Sequence, residues 1–345
     1  MFKLKLLYKK IKELFEIYFQ RKNISFDKNK KYVFVMLAAD YNNLGDIAIT
    51  VTQIKYLKDC LENDNYQIIN IPVGDTCKVY LSMKKNIKKD SIITLIGGGN
   101  NGDLYEFIEK QRRFIIKKFK SQKIISFPQT VHYSDSKNGE KYLNEFKKLC
   151  KKCSNLTLMA REKKSYDFYK DNFLHNRILL APDIVLYNVI NNTKKRKGVS
   201  LIFRDDKEKL IDKKFEKDIE KLLINKDYKL SHDDTCTFKS RQTNEYTLKE
   251  YLNIISSKEL IITDRLHGMI FCYITKTPCI VFDNNNGKIK NTYDLWLKNQ
   301  NYIEYCDNAS IEKINYIIDN LKIIVPKNDP KLIEQYAQIE KVIKE

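Results

Sequence analysis

The sequence predicts an α/β protein with two doubly wound, Rossmann-like lobes that face a central cleft. Short apolar runs alternate with amphipathic stretches from residue 31 onward, as in a repeated βαβ chain. The alternation stops at a polar, basic stretch near residue 190 and then starts again. The chain has 345 residues, 43% of them apolar, which is enough for two moderate cores. We therefore expect one lobe over residues 31–190 and a second over residues 191–345.

Each predicted lobe contains its own set of parallel strands with crossover helices. In the first lobe, helices are predicted from Ile47 to Leu61 and from Asp103 to Phe119. The stretch VINNTKKRKG has no apolar periodicity and is the predicted linker, and a C-terminal helix is placed to pack back on the first lobe. The predicted strands lie in KYVFVMLAAD, YQIINIPV, SIITLIGGG, KIISFPQTV, LTLMARE and RILLAPD, and then in GVSLIFRD, YKLSHDDTC, LIITDRLHG, PCIVFDN and YIEYCDN.

Residues 1–30 form a basic N-terminal segment. Lysines interrupt its apolar runs before any reaches the length of a signal peptide or a membrane-spanning helix. Apolar residues still recur at helical spacing and predict an amphipathic helix, for which two placements are open. Over residues 1–22 it lies on an anionic membrane surface, or it packs on its own domain. The recurring residues are Leu4, Leu7, Ile11, Leu14 and Tyr18.

The net charge of +19 requires an acidic partner, which can be a nucleic acid, an anionic lipid or a phosphorylated substrate. The lysines are spread over nearly every predicted helix instead of forming one stripe, so no nucleic acid is expected. Eight cysteines without dense spacing indicate reduced thiols and a cytoplasmic protein. Cys150 and Cys153 form a lone CxxC, and neither this pair nor Asp233-Asp234 has enough neighbouring ligands to predict a metal site.

Ligands of doubly wound sheets bind outside the carboxyl ends of the strands, so the residues that follow each strand are the candidates. Asn43, Gly45 and Asp46 open a helix after the first strand, where free N–H groups can hold an anion. The structural alternative is that Asp46 only caps this helix. We interpret Asp46 as a functional residue of the cleft.

A glycine-rich segment follows the third strand and a polar pair follows the fourth. Gly98, Gly99, Asn100 and Asn101 allow close approach of a ligand, although the segment is neither a dinucleotide-binding nor a P-loop motif. A tight turn from strand to helix explains the segment almost as well. Gln129 follows the next strand and is expected at the same edge of the sheet.

Arg161 ends the fifth strand and is predicted to bind a carboxylate or phosphate from the substrate. A salt bridge to Glu162 or Asp167 is the alternative. Asp183 follows the sixth strand and either orients such an arginine or caps the next turn.

The strongest constellation is the turn from Ile261 to Gly268, which delivers Asp264, Arg265 and His267 onto the start of one helix. An arginine and a helix N-terminus together bind an anion, and a histidine beside them can exchange protons near neutral pH.

The segments NLGDIAI, GGGNNGD, FPQT, AREKKS, APDIVL and TDRLHG occur in the order and approximate spacing of the polysaccharide pyruvyl transferase family. The resemblance spans roughly residues 32–290. It implies the two-lobed GT-B fold of glycosyltransferases, phosphoenolpyruvate as donor, and no cofactor or metal. The acceptor would be a hydroxyl pair on a surface-polysaccharide or polyprenyl-linked intermediate, and the product a pyruvate ketal.

The resemblance also implies roles for particular residues. Arg161 and Arg265 would hold the donor phosphate and carboxylate, and His267 would be the catalytic acid or base. Asp46 is predicted as a catalytic residue on the acceptor side, and Leu266 as a further substrate-binding residue. Two other functions compete with this one. A glycosyltransferase of the same architecture would bind a nucleotide sugar, whereas a non-catalytic protein that binds membranes or polyanions would leave the turn at Arg265 and His267 unexplained.

Overall fold

The computed structural model describes residues 11–190, 195–206, 208–235, 244–307, 310–320 and 330–345. Within these residues two parallel sheets form, one in each half of the chain, which confirms the predicted α/β fold class. The first ten residues of the predicted amphipathic helix lie outside the described residues, as do residues 191–194 of the predicted linker. The described part of the N-terminal helix, α1, covers residues 11–18.

The first lobe is a seven-stranded sheet with the order β2-β1-β3-β5-β6-β7, in which β4 pairs with the second half of β5. Its helices are α2 (Leu44–Cys60), α3 (Tyr80–Asn86), α4 (Glu106–Lys118), α5 (Lys137–Cys150) and α6 (Lys163–Asn172). Its strands are β1 (Lys31–Ala38), β2 (Tyr66–Pro72), β3 (Ile92–Leu95), β4 (Gly98–Gly102), β5 (Lys123–His132), β6 (Leu156–Ala160) and β7 (Arg177–Leu180).

The second lobe is a five-stranded sheet with the order β12-β11-β10-β8-β9. Its strands are β8 (Val199–Ile202), β9 (Leu230–His232), β10 (Leu260–Thr263), β11 (Cys279–Val281) and β12 (Ile303–Tyr305). The helices of this half are α7 (Lys213–Asn225), α8 (Glu245–Ser256), α9 (Leu266–Thr275), α10 (Lys288–Thr292), α11 (Ile311–Asn320) and α12 (Pro330–Lys344).

Burial explains why the central strands read as continuous apolar runs. In β1 every residue from Tyr32 to Ala38 is buried, because helices cover both faces of a parallel sheet. The segment from Gly98 to Gly102, expected as a turn, instead forms the short strand β4. Gly98 and Gly102 have φ angles of +122° and +131°, which glycine adopts without the strain of a side chain.

The two lobes meet through α2 of the first lobe, which packs against α8 of the second. The backbone N–H of Leu44, at the start of α2, donates a hydrogen bond to the carbonyl of Thr235 (2.9 Å). Helix α12 packs against the first lobe, where the Tyr56 hydroxyl donates to the carbonyl of Tyr336 (2.5 Å). The start of α2 is therefore held at the boundary between the sheets.

Strand order marks one candidate ligand-binding edge in each sheet. In the first sheet the winding reverses between β1 and β3, and in the second it reverses between β8 and β10. Such a reversal opens a crevice at the carboxyl ends of the strands, which is where ligands of doubly wound sheets bind. Among the described residues, none of the helices has both the length and the apolarity needed to cross a membrane.

We predict that Gly102→Ala destabilises the first lobe. A Cβ at this position would lie 1.6 Å from the carbonyl oxygen of His132 on β5, and φ is positive, so β4 would have to separate from β5. The free energy of unfolding should fall by about 2 kcal/mol or more in urea denaturation. Gly74→Ala is the matched control, because its Cβ would meet only the end of the Asp40 side chain. Equal losses in both variants would contradict the prediction.

Candidate functional site

One candidate site lies between the lobes, and residues next to both winding reversals form it. The first lobe contributes the start of α2 and the glycines of β4, and the second lobe contributes the turn between β10 and α9. Gly45 on α2 and His267 on α9 touch: a Cβ on Gly45 would lie 2.2 Å from Nδ1 of His267. Because Gly45 has no side chain, it leaves space for the His267 imidazole of the opposite lobe.

The start of α2 is capped by Asn43 and not by Asp46. Oδ1 of Asn43 accepts hydrogen bonds from the backbone N–H groups of Gly45 (2.9 Å) and Asp46 (3.4 Å). Asp46 is hydrogen-bonded to the side chain of Tyr41, and its Oδ1 is 3.6 Å from where a Cβ of Gly98 would be. Burial raises the pKa of Asp46, although Tyr41 and Arg161 oppose the shift. Its carboxyl group therefore belongs to the site and not to the helix cap.

Arg161 is a buried cation that is fixed from two sides. Its Nε donates to Oγ1 of Thr130 and its Nη1 to Oδ2 of Asp183, both at 2.7 Å. Of the two alternative partners, Glu162 instead caps α6 through Ser165 and Asp167 pairs with Lys163. The remaining guanidinium nitrogen, Nη2, lies 3.1 Å from where a Cβ of Gly99 would be.

Asp183 connects Arg161 with His267. Its Oδ2 lies 3.8 Å from Nε2 of His267, and its Oδ1 accepts a hydrogen bond from the backbone N–H of Val185 (3.0 Å). Burial lowers the pKa of His267 to about 4, with Asp183 opposing the shift and Arg161 reinforcing it. The imidazole is therefore neutral at pH 7 and able to accept a proton.

Arg265 lies on the second-lobe side of the cleft and is held by a carboxylate. Its Nε is 2.8 Å from Oδ1 of Asp234, and its Nη2 donates to Oδ2 (3.1 Å). This two-point contact fixes the plane of the guanidinium. Leu266 is buried in the core, so any contact with a ligand would come from its backbone at the start of α9.

Two further basic residues of the site, Arg204 and Lys288, were not predicted. Arg204 follows β8, a position that the strand-end rule could have identified, and it pairs with Asp206 (2.9 Å) and Glu208 (2.7 Å). Nζ of Lys288 is 2.6 Å from Glu208. Burial lowers the pKa of Lys288, which acts electrostatically on Asp46. No motif marks this lysine in such a lysine-rich chain.

Asp264, from the same predicted turn, is bonded to the backbone of the loop after β8. Its side chain is fully buried, and Oδ1 accepts a hydrogen bond from the backbone N–H of Arg204 (2.8 Å). Burial raises the pKa of Asp264 to about 6. This residue therefore positions the loop after β8.

Three residues expected to contact substrate are buried with partners inside the first lobe. Oε1 of Gln129 accepts a hydrogen bond from the backbone N–H of Asn100 (3.4 Å), and its amide nitrogen donates to the carbonyl of Ile96. Nδ2 of Asn101 donates to the hydroxyl of Tyr169 (3.0 Å). The side chain of Gln129 therefore joins the end of β3 to β4, and that of Asn101 joins β4 to α6. Direct substrate contact by these residues stays a prediction.

Thiols and carboxylates do not assemble a metal centre in the part of the chain that the structure describes. Cys150 and Cys153 are buried free thiols.

The fold and the site define a class of protein: a two-lobed α/β protein with a buried histidine and several basic side chains between its lobes. The chain belongs to the polysaccharide pyruvyl transferase family, whose model matches residues 43–286. The resemblance carried by the six sequence segments is thereby confirmed, and with it the general class of transferase.

The chain is also similar to individual proteins. The chain is 36% identical to General stress protein 30 of Bacillus subtilis over 318 residues, which cover 90% of this chain and 91% of that protein. It is 30% identical to Pyruvyl transferase 1 of Schizosaccharomyces pombe over 279 residues, covering 75% and 68%. A functionally uncharacterized protein of Klebsiella pneumoniae has a similar fold, with a TM-score of 0.53, 17% identity, and coverage of 81% of this chain and 93% of the other.

We predict that His267 stays neutral down to about pH 4 in the folded protein. The unfolded chain binds this proton near pH 6.5. Between pH 6.5 and 4 the unfolded chain therefore binds more protons than the folded protein, and the free energy of unfolding falls as the pH decreases through this window. NMR titration of the imidazole should show the lowered pKa. In urea denaturation, His267→Gln should lose less stability than the wild type between pH 7 and 5.

The exposed His175 provides the control for this titration. His175→Gln should keep the pH dependence of the wild type. A His267 resonance that titrates above pH 6 would contradict the assigned environment.

Proposed function

We propose that the protein transfers the pyruvyl group of phosphoenolpyruvate to two hydroxyls of a glycan and forms a cyclic ketal. The observation that carries the proposal is the buried, neutral His267 near Arg161 and Lys288, with Arg265 two residues before it on the same turn, in a chain of this family. Phosphoenolpyruvate carries a phosphate and a carboxylate on adjacent positions, so its donor site needs several cations. A proton acceptor must lie within reach of the attacking hydroxyl.

The arginines are preorganised to hold the donor. Thr130 and Asp183 take two donor positions of Arg161 and fix its plane, which leaves Nη2 beside Gly99 for a ligand oxygen. Arg265 is fixed in the same way by Asp234. Positive groups that are already oriented can stabilise charge that develops on the departing phosphate without reorganising during the reaction.

The proposed reaction balances as follows. Two acceptor hydroxyls lose their protons and bond to C2 of the donor, whose C–O bond to phosphate breaks. One proton ends on C3, which becomes the methyl group of the ketal, and the other leaves with phosphate. His267 accepts a hydroxyl proton, and Asp46, whose raised pKa favours its protonated form, exchanges the second.

Donor binding can be tested before the acceptor is identified. We predict saturable binding of phosphoenolpyruvate in titration calorimetry and at least about tenfold weaker binding by Arg265→Ala, because loss of a charge-assisted contact costs roughly 1.5–3 kcal/mol. Arg177→Ala is the matched control, since Arg177 lies on the surface in a pair with Glu345. Binding of a nucleotide sugar, with none of phosphoenolpyruvate, would instead support glycosyl transfer.

Turnover tests the role of His267. With a soluble oligosaccharide acceptor found by screening, His267→Ala should reduce phosphate release from phosphoenolpyruvate by about 10² to 10⁴, the contribution of one positioned proton-transfer group. Donor binding should persist. His232→Ala removes an exposed imidazole and should keep full activity. If His267→Ala retained more than a tenth of wild-type turnover, His267 would not be the proton acceptor.

A further inference from the structure

Helix α1 contacts the protein through the side opposite its apolar stripe, so the stripe itself is exposed. Five apolar side chains recur at helical spacing from Ile11 to Phe19 and all are exposed, with Phe19 at 79%. An amphipathic helix of a globular protein normally buries this stripe against the core. The exposed residues are Ile11, Leu14, Phe15, Tyr18 and Phe19.

Specific contacts fix this orientation. Ile17, on the opposite side of the helix, is 2% exposed and packs with Cys77 and Phe114 of the first lobe. Glu13 and Glu16 lie near enough to Cys77 to raise its pKa, after the larger effect of burial. The acidic face of α1 is therefore turned toward the protein and its apolar stripe toward the surroundings.

A second group of exposed apolar side chains lies close to α1 in the fold. Leu104, Tyr105 and Phe107, at the start of α4, are 51–60% exposed. Phe107 precedes Phe114 by two helical turns, so both lie on the same side of α4, and Phe114 packs with Ile17 of α1. Tyr105 acts electrostatically on Tyr41, the hydrogen-bond partner of Asp46. The second apolar group therefore lies near both α1 and the candidate site.

We propose that these eight side chains, here called the apolar surface, insert into the interface of an anionic lipid bilayer. Residues 1–22 contain seven basic and two acidic residues, so the segment that carries most of the apolar surface is attracted to anionic headgroups. A membrane-surface helix combines exposed bulky apolar residues with such a charge excess. This combination favours anionic lipid over an uncharged partner.

Flotation of the full-length protein with vesicles tests the membrane contact. We expect binding to vesicles of phosphatidylglycerol and phosphatidylcholine, and much weaker binding to phosphatidylcholine alone. The variant Phe15→Glu/Phe19→Glu should bind at least about tenfold more weakly, because each buried aromatic ring contributes enough apolar area for about a tenfold change. Phe107→Glu should weaken binding separately.

Leu174→Glu is the matched control, since Leu174 is equally exposed (79%) but lies between α6 and β7. It should bind vesicles as the wild type does. Unchanged binding by the Phe15/Phe19 variant, or wild-type dimers that dissociate in this variant, would overturn the proposal. Calorimetry with phosphoenolpyruvate on the same proteins separates the two questions, because a lack of donor binding counts against the proposed function alone.

Discussion

The buried carboxylate of Asp183 is the group on which the geometry of the site depends. It contacts Arg161 at 2.7 Å in its own lobe and lies 3.8 Å from His267 of the other lobe. A buried carboxylate is costly unless it is paired and hydrogen-bonded, and here Arg161 and the N–H of Val185 meet that requirement. The Tyr336 hydroxyl of α12 donates to the carbonyl of the same residue, so the C-terminal helix also helps to position it.

Two glycines near Asp183 leave space for the side chains of His267 and Arg161. Gly45 lies against the imidazole of His267, and Gly99 lies against the guanidinium of Arg161. A side chain at Gly45 would displace the imidazole, and one at Gly99 would press on the guanidinium. The glycine segments that resemble ligand-binding loops thus contribute by leaving space, and the functional groups come from the larger side chains that fill it.

Sequence periodicity predicted the two sheets because fully buried parallel strands are apolar along their whole length, as β1 is. It also placed Arg161, Arg265 and His267 at strand ends, where doubly wound folds bind ligands. It could not decide which partner a side chain meets after the strand: Asp264 accepts a hydrogen bond from the backbone of Arg204, whereas its neighbour Arg265 contacts Asp234. In the same way, the spacing of α1 showed which residues share a face but not that this face is exposed.

In the proposed reaction, the charges of the site would link donor binding to proton transfer. In the free protein Arg161 and Lys288 lower the pKa of His267, in addition to the larger effect of burial. An anionic donor bound between these cations would offset their charge, and its own negative charge would favour the imidazolium form. The pKa of His267 would then rise toward neutrality. In the proposed reaction, His267 would thus be a weak base before the donor binds and a stronger one when the donor is in place, which is when a hydroxyl proton has to be removed.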